Sequence, residues 1–170
     1  MPFRTVCILI VATNALVMDL WNSRICNWWI LISAAIGILL NLSEKGTQGL
    51  LDSFTGAALP FILLFGLFFF HLLGTGDIKL FCVLGILQGT EKILYCIGYS
   101  FLFGAILAFV IILYTGSVCQ RLSYMLEYFR DYFRSGARKS YVIKDMNRME
   151  NFHFTVPIMM SVMLYAGGVF

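Results

Sequence analysis

Long apolar runs alternate with short polar segments along this chain of 170 residues. Most of the runs approach the roughly 20 apolar residues that a helix needs to cross a lipid bilayer. The predicted spans lie at residues 3–20, 27–42, 54–73, 78–89, 92–114 and 152–170. The pattern therefore predicts an all-α integral membrane protein, with six transmembrane helices in a single domain over residues 1–170.

Composition supports a membrane protein and limits where chemistry can occur. Hydrophobic residues make up 60% of the chain and charged residues only 12%, with a mean hydropathy of +0.86. A soluble domain usually carries about a quarter charged residues. The net charge of +3 is too small to suggest a nucleic-acid partner, and the lipid bilayer is the first partner that we expect. Six spans use nearly the whole chain, so any chemistry must be done by the helices and their short loops.

Basic residues are distributed unevenly between the two sides of the predicted membrane domain. Six spans place both termini on one side and the connections 20–26, 74–77 and 115–151 on the other. The side of these connections, with Lys79 at its edge, carries nine basic residues: Arg24, Lys79, Arg121, Arg130, Arg134, Arg138, Lys139, Lys144 and Arg148. The side of the termini carries three: Arg4, Lys45 and Lys92. Because basic residues mark the cytoplasmic side, both termini are predicted to be extracytoplasmic.

The long cytoplasmic connection, residues 115–151, has a helical pattern of its own. In CQRLSYMLEYFRDYFR, residues 119–134, apolar side chains recur at helical spacing and charged side chains fall on another face. This pattern predicts an amphipathic helix that lies on the inner membrane surface between the fifth and sixth spans.

Two aspartates stand at the edges of apolar runs. Asp19 ends the first span, and Asp77 precedes the fourth within HLLGTGDIKLF, residues 71–81. The predicted topology puts both at the same membrane depth on the cytoplasmic side. Two carboxylates that meet away from water cannot both ionise easily, and such a pair can act as general base and general acid. Asp19 and Asp77 are therefore candidate catalytic residues.

Helix ends predict the order in which the two carboxyls take up a proton. Asp77 near a helix N-terminus is favoured as the anion, and Asp19 near a helix C-terminus is disfavoured as the anion. Asp19 is therefore predicted to be the more readily protonated of the two. Gly74 and Gly76 are expected to allow backbone conformations and a close approach that other residues would block.

Other roles stay open for both aspartates on this reasoning. Asp77 is a favoured N-cap for the fourth helix, and Asp19 can be a solvated helix end paired with Arg24. A small multi-helix transporter or channel would use the pair as proton or cation ligands, although such sites usually lie near the bilayer midplane.

Two short motifs around these aspartates resemble those of type IV prepilin peptidases. The segment GTGDIKL, residues 74–80, is similar to the GxGDxKL motif of that family. The segment DLWNSRICN, residues 19–27, resembles the other family motif, in which an aspartate and a polar turn are followed by Arg-Ile-Pro-Asn. Cys26 stands where the family usually has proline. The chain looks like the short branch that serves tight-adherence (Flp-type) pili.

The resemblance implies a membrane aspartic endopeptidase with Asp19 and Asp77 as the catalytic pair and with no metal or cofactor. The implied substrate is a prepilin or pseudopilin, whose short basic leader is cut after a glycine at the cytoplasmic face of a prokaryotic cell membrane. The chain has no CxxC pair of the kind found in the longer, methylating members, so we expect cleavage without N-methylation. An inactive scaffold for pilus assembly remains an alternative.

Four further residues receive expected supporting roles. Lys79 is expected to reach the lipid head groups, with electrostatic tuning of the site as the alternative. Asn27 is expected to cap the second helix, with substrate contact as the alternative. Arg24 is expected to pair with phosphate or with Asp19. Asn14, inside the first span, is expected to make an interhelical hydrogen bond.

Overall fold

The structure, a computed structural model, describes residues 2–22, 25–69, 73–115 and 153–169. These residues form six helices and no strand. The helices are α1 (Pro2–Asn22), α2 (Asn27–Lys45), α3 (Thr47–Phe69), α4 (Thr75–Gln88), α5 (Thr90–Thr115) and α6 (Thr155–Ala166). Arg24, His71 and the predicted surface helix at 119–134 lie outside the described residues.

Four of the six helices are long and apolar enough to cross a membrane. The qualifying segments are Phe3–Asn22, Asn27–Lys45, Thr47–Phe69 and Thr90–Ile111. The chain is thus a multi-pass membrane protein, all-helical over the residues that the structure describes. The 14 residues of α4 rise only about 21 Å, against a hydrocarbon core of about 30 Å, and α6 has 12 residues. The six-span topology and the side on which the termini lie remain predictions.

Two single glycines replace loops between consecutive helices. Gly46 joins α2 to α3 with φ +61°, and Gly89 joins α4 to α5 with φ +86°. The backbone N–H of each glycine donates to the carbonyl four residues earlier, at 2.9 Å. Because Gly46 ends α2 abruptly, α3 begins at Thr47, seven residues before the predicted span starts.

The short helix α4 is buried among its neighbours. Nine of its residues, from Ile78 to Gln88, are buried, and α1, α2 and α3 pack against it. A Cβ on Gly85 would lie 2.0 Å from the Gly56 carbonyl oxygen, so α3 and α4 touch backbone to backbone there. Pro60 has no N–H to donate to that same carbonyl, four residues earlier in α3. Burial on every side explains why α4 is apolar all round.

At the end of α1 that contains Arg4, a group of polar side chains ties four helices together. We call Arg4, Asn41, Ser53 and the Ile86 carbonyl the asparagine cluster. Asn41, 2% exposed, donates to Ser53 Oγ at 2.6 Å and to the Ile86 carbonyl at 2.8 Å, and its Oδ1 accepts a hydrogen bond from Arg4. The prediction for Asn14 was wrong, because its amide donates to Ile10 O of its own helix at 2.9 Å.

The chain divides into two compact units. The first comprises Met1–Gly104 and His153–Phe170, and it contains both aspartates. The second comprises Ala105–Phe152, of which residues 105–115 are described and are helical.

Candidate active site

Asp77 lies in the first turn of α4, and it is not the N-cap that one interpretation of the sequence proposed. The N-cap is Gly74, so the helix begins at Thr75 and Asp77 is its third residue. From that position an acidic side chain can reach back to the N-cap backbone, as in a capping box. A hydrogen bond from the Gly74 backbone does lower the pKa of the Asp77 carboxyl. Asp77 therefore closes the helix start without occupying the cap position.

The two glycines of the motif act by their small size and not by an unusual backbone. Gly74 has φ −71° and ψ 148°, and neither glycine is among those with positive φ. A Cβ on Gly74 would lie 3.1 Å from Asp77 Oδ2, which is tighter than an ordinary contact. A Cβ on Gly76 would have Ile25 as its nearest neighbour, at an ordinary contact distance of 3.5 Å. The expected special backbone conformation was therefore wrong at both glycines, whereas the expected close approach of a substrate stays a prediction.

Asp19 lies in the last turn of α1 with its side chain 16% exposed. Its Oδ2 accepts a hydrogen bond from the Thr155 hydroxyl at 2.6 Å. The same oxygen lies 2.9 Å from Nδ1 of His153, which donates when the imidazole carries its proton there. Both partners come from the start of α6, 134 and 136 residues away in the chain. Asp19 is thus held by named side chains and is not a loosely solvated helix end.

The structure brings the two aspartates close enough for their charges to interact. Burial raises the pKa of Asp77, and the negative charge of Asp19 raises it further. The Gly74 hydrogen bond and His153 lower it, and together these effects put the pKa of Asp77 at about 6, against an ordinary value of 3.8. Asp77 precedes the predicted fourth span and lies outside the four long apolar helices. We call Asp19, Asp77, His153 and Thr155 the aspartate cluster.

The surroundings favour a protonation order opposite to the one predicted from the helix ends. Asp19 Oδ2 accepts a hydrogen bond from the Thr155 hydroxyl. Asp77 is instead buried beside a negative charge, and its pKa is raised. Helix-end effects are usually below about 1 kcal/mol, so burial and neighbouring charges outweigh them. Asp77 is therefore the better placed of the two to hold a proton.

A hydrogen bond between Lys79 and Asn27 joins the starts of α2 and α4. Lys79 Nζ donates to Asn27 Oδ1 at 2.9 Å, and both side chains are exposed. Asn27 does not cap α2, because the N-cap is Cys26 and it makes no side-chain capping bond. The head-group contact expected of Lys79 remains a prediction. Arg24, the fourth supporting residue, lies outside the described residues.

His153 and Thr155 were not identified from the sequence. They lie in HFT, residues 153–155, just where the chain enters the last apolar run. The predicted topology places this entry on the same side as Asp19 and Asp77. A polar pair at such an entry was the signal by which they could have been found. The histidine that the sequence motif did contain, His71, lies outside the described residues.

No metal centre is found in the described residues, where no three His, Cys, Asp or Glu side chains are grouped to hold an ion. An open apolar groove of about 560 Å³ lies elsewhere, and none of the candidate site residues lines it. Its lining residues are Thr55, Ala58, Leu59, Ile62, Leu63 and Thr90.

Comparison with known proteins gives one match. No curated protein and no solved structure matches the chain significantly. Residues 6–109, more than half of the chain, match the model of the type IV leader peptidase family. The matched segment includes Asp19 and Asp77, both motifs that resemble the prepilin peptidases, and helices α2 to α4 in full. The chain is therefore a protease of the type IV leader peptidase family.

Proposed function

We propose that this protein is a membrane aspartic endopeptidase that removes the short basic leader from type IV-like prepilins or pseudopilins. Cleavage would occur at the cytoplasmic face of a prokaryotic cell membrane, without N-methylation of the new amino terminus and without a cofactor. The observation that supports this most directly is the pairing of Asp19 with Asp77. The pKa of Asp77 is raised to about 6 by burial and by Asp19, as expected of carboxyls that share a proton.

The environments of the two carboxyls suggest a division of labour. Asp19, as the carboxylate, takes a proton from a water molecule as the water oxygen attacks the scissile carbonyl carbon. Asp77 gives its proton to the carbonyl oxygen, so that a neutral tetrahedral intermediate forms. When the C–N bond breaks, the proton held by Asp19 passes to the leaving nitrogen, and a hydroxyl proton of the intermediate returns to Asp77. The pair ends the cycle in its starting state, and every proton is accounted for.

The glycine next to the pair fits a substrate in extended form. Gly74 precedes Asp77 by three residues and carries no side chain at the point where a Cβ would press on the Asp77 carboxyl. The Lys79–Asn27 hydrogen bond joins the two motif segments on the exposed side of the same helix start. These features leave backbone exposed beside Asp77, which an extended peptide requires.

The test is co-expression of the full chain with prepilins encoded nearby, followed by gel and mass analysis of the pilin. Wild type should remove the leader after a glycine and leave an unmethylated amino terminus. Asp19→Asn and Asp77→Asn should each abolish cleavage at unchanged protein level. Asp52→Asn is the matched control, because Asp52 pairs with Lys45 at 2.6 Å on the exposed α2–α3 hairpin, and it should cleave normally.

Two results would contradict the proposal. Cleavage that survives both Asp19→Asn and Asp77→Asn would exclude the two-aspartate mechanism. Retention of the leader by wild type, together with a proton or cation flux that both substitutions abolish, would favour the transporter alternative.

A further inference from the structure

The two side chains that hold Asp19 come from a part of the chain outside the family match. His153 and Thr155 stand at the start of α6, beyond residues 6–109. Among the described residues, both hydrogen bonds go to Asp19 Oδ2, which leaves Oδ1 for a water molecule. Nothing in the two aspartate motifs assigns a role to this third segment.

The segment is fixed by the aromatic residue between them. The Phe154 ring lies 5.3 Å from the Phe101 ring of α5 and 6.5 Å from the Phe81 ring of α4, measured between centroids. Phe81 is fully buried, and ring pairs at these separations add to the energy of burial. His153 and Thr155, one on each side of Phe154, are thereby held in place against the end of α1.

The buried hydroxyl of Thr155 has Asp19 as its hydrogen-bond partner. Thr155 is the first residue of α6 and is 1% exposed, yet its hydroxyl donates to Asp19 and not to its own helix. A buried hydroxyl costs free energy unless it finds a partner, and a charged acceptor gives the stronger hydrogen bond. Thr155 and Asp19 satisfy each other in a way that valine at the same position would not.

We propose that His153 and Thr155 are positioning residues that hold Asp19 as the anion and aim its Oδ1 at the attacking water. This inference rests on the proposed peptidase function and deepens it. The two hydrogen bonds fix the rotation of the carboxylate and favour its charged form. The start of α6 thus completes a site whose acids come from α1 and α4.

Three titratable groups share the site, and two of them, Asp19 and His153, affect the pKa of the third, Asp77. Asp77 from α4 and His153 from the α6 entry are the ionisable groups described around Asp19, and the same His153 lowers the pKa of Asp77. Loss of His153 should therefore raise the pKa of Asp77 and remove a donor from Asp19. Because Asp77 must hold its proton to act as the general acid, its higher pKa should move the alkaline limb of the pH–kcat profile to higher pH.

The threonine test separates the hydroxyl from the rest of the side chain. With purified full-length protein in lipid and a prepilin peptide that wild type cleaves, Thr155→Val should lower kcat by about 10- to 100-fold, with KM nearly unchanged. Thr155→Ser should restore most of the rate. Thr55→Val is the matched control, because the Thr55 hydroxyl bonds within α3, and it should behave as wild type. Equal rates for the valine and serine variants would overturn the proposal for Thr155.

The histidine test uses a residue that can donate without titrating. The amide of His153→Asn can replace Nδ1 as the donor to Asp19, so this variant should keep more activity than His153→Leu. His153→Leu should also show the alkaline limb of the pH–kcat profile shifted to higher pH. A pH–kcat profile of His153→Leu that coincides with that of wild type would overturn the proposal for His153.

An infrared titration of the full chain in lipid tests the proposal without any substrate. A protonated carboxyl signal near pH 5 should disappear in Asp77→Asn, and in Asp19→Asn it should persist but titrate at lower pH, because the negative charge of Asp19 is gone while the burial of Asp77 stays. In the double variant His153→Leu, Thr155→Val, a signal that depends on Asp19 should appear. If wild type cleaves no prepilin but this pattern is found, the peptidase proposal fails and the positioning of Asp19 stands. If the double variant matches wild type in this titration, the positioning proposal is overturned whatever the enzyme cleaves.

Discussion

Two polar clusters at opposite ends of α1 show how differently buried polar groups can be arranged. Arg4 and Asp19 are 15 residues apart, or about 22 Å along the helix. In the asparagine cluster, the hydrogen bonds from Arg4 to Asn41 and from Asn41 to Ser53 and the Ile86 carbonyl each join two helices. In the aspartate cluster, two acids meet and the pKa of Asp77 is raised to about 6. The first arrangement stabilises the fold, whereas the second costs stability and is typical of sites that do chemistry.

The largest expected effect is that substitutions in the two clusters act oppositely: a change in the aspartate cluster should lower activity and spare stability, and a change in the asparagine cluster should do the reverse. Asp77→Asn should lower cleavage by at least about 100-fold, because a general acid contributes roughly that much or more. The same change should leave the melting temperature at neutral pH unchanged or higher, because it removes a buried charge next to Asp19. Parallel cleavage and thermal unfolding assays in detergent provide the measurement. A large fall in melting temperature would show that Asp77 is chiefly structural.

Asn41→Leu should give the reverse result. It leaves Arg4, Ser53 and the Ile86 carbonyl short of a partner, and we expect a loss of about 1–3 kcal/mol in the free energy of unfolding. Cleavage per folded molecule should stay near wild type. Asn14→Leu is the control, because Asn14 bonds only within α1 among its described contacts, and it should cost clearly less. Equal losses for the two asparagines would contradict a special role for the asparagine cluster.

The pH dependence of the free energy of unfolding should distinguish the aspartate cluster from the asparagine cluster as well. Between pH 3.8 and about 6 the folded chain keeps a proton on Asp77 that the unfolded chain releases. The free-energy contribution of Asp77 to stability is therefore fully present below pH 3.8 and is lost as the pH rises through about 6. The difference in melting temperature between Asp77→Asn and wild type should grow over this interval. A difference that is constant with pH would mean that the pKa of Asp77 is not raised.

The two motif glycines provide a smaller contrast within the aspartate cluster. Gly74→Ala should lower kcat by about tenfold, because its Cβ would lie 3.1 Å from Asp77 Oδ2 and displace the carboxyl. Gly76→Ala meets Ile25 at an ordinary distance and should change kcat by no more than about twofold. Cleavage rates at saturating substrate measure both. The reverse ranking would indicate that Gly76, and not Gly74, must stay open for the substrate.

The smallest effect is expected at Cys26, where the family motif usually has proline. Cys26 is the N-cap of α2 with φ −66°, which is the value that a proline ring imposes. Cys26→Pro should leave cleavage unchanged and raise the free energy of unfolding by about 0.4–1 kcal/mol, because it restricts the unfolded chain. Chemical unfolding in detergent measures the gain. A destabilised variant would show that the Cys26 N–H is needed.

Much of the helical architecture could be predicted because each helix leaves a local signal. Apolar runs of sufficient length predicted α1, α2, α3 and α5 as membrane spans, and the ends of α1 and α2 differ little from prediction. The early start of α3 was not predicted, because the polar stretch at residues 47–53 does not look like a span. The single residue Gly46 makes the turn that lets this stretch be helical.

The candidate site was predictable only where its residues stand in motifs. Asp19 and Asp77 were proposed from their positions at helix ends and from the resemblance of the segments around them. Asn27 was predicted to be a cap and instead accepts a hydrogen bond from Lys79, a residue 52 positions away. Such a partner depends on where two helix starts meet, and helix periodicity carries no information about that.

By itself the sequence determined the class of the protein, most of its helices, its two acids and its family, because these depend on local composition and short motifs. Only the tertiary structure decided how each of the two acids is buried and which groups surround it. It buries Asp77 beside Asp19, and it brings His153 and Thr155 across more than 130 residues to Asp19 Oδ2. Charge states in a buried site follow from burial, neighbouring charges and hydrogen bonds, and these exist only once α1, α4 and α6 have packed together.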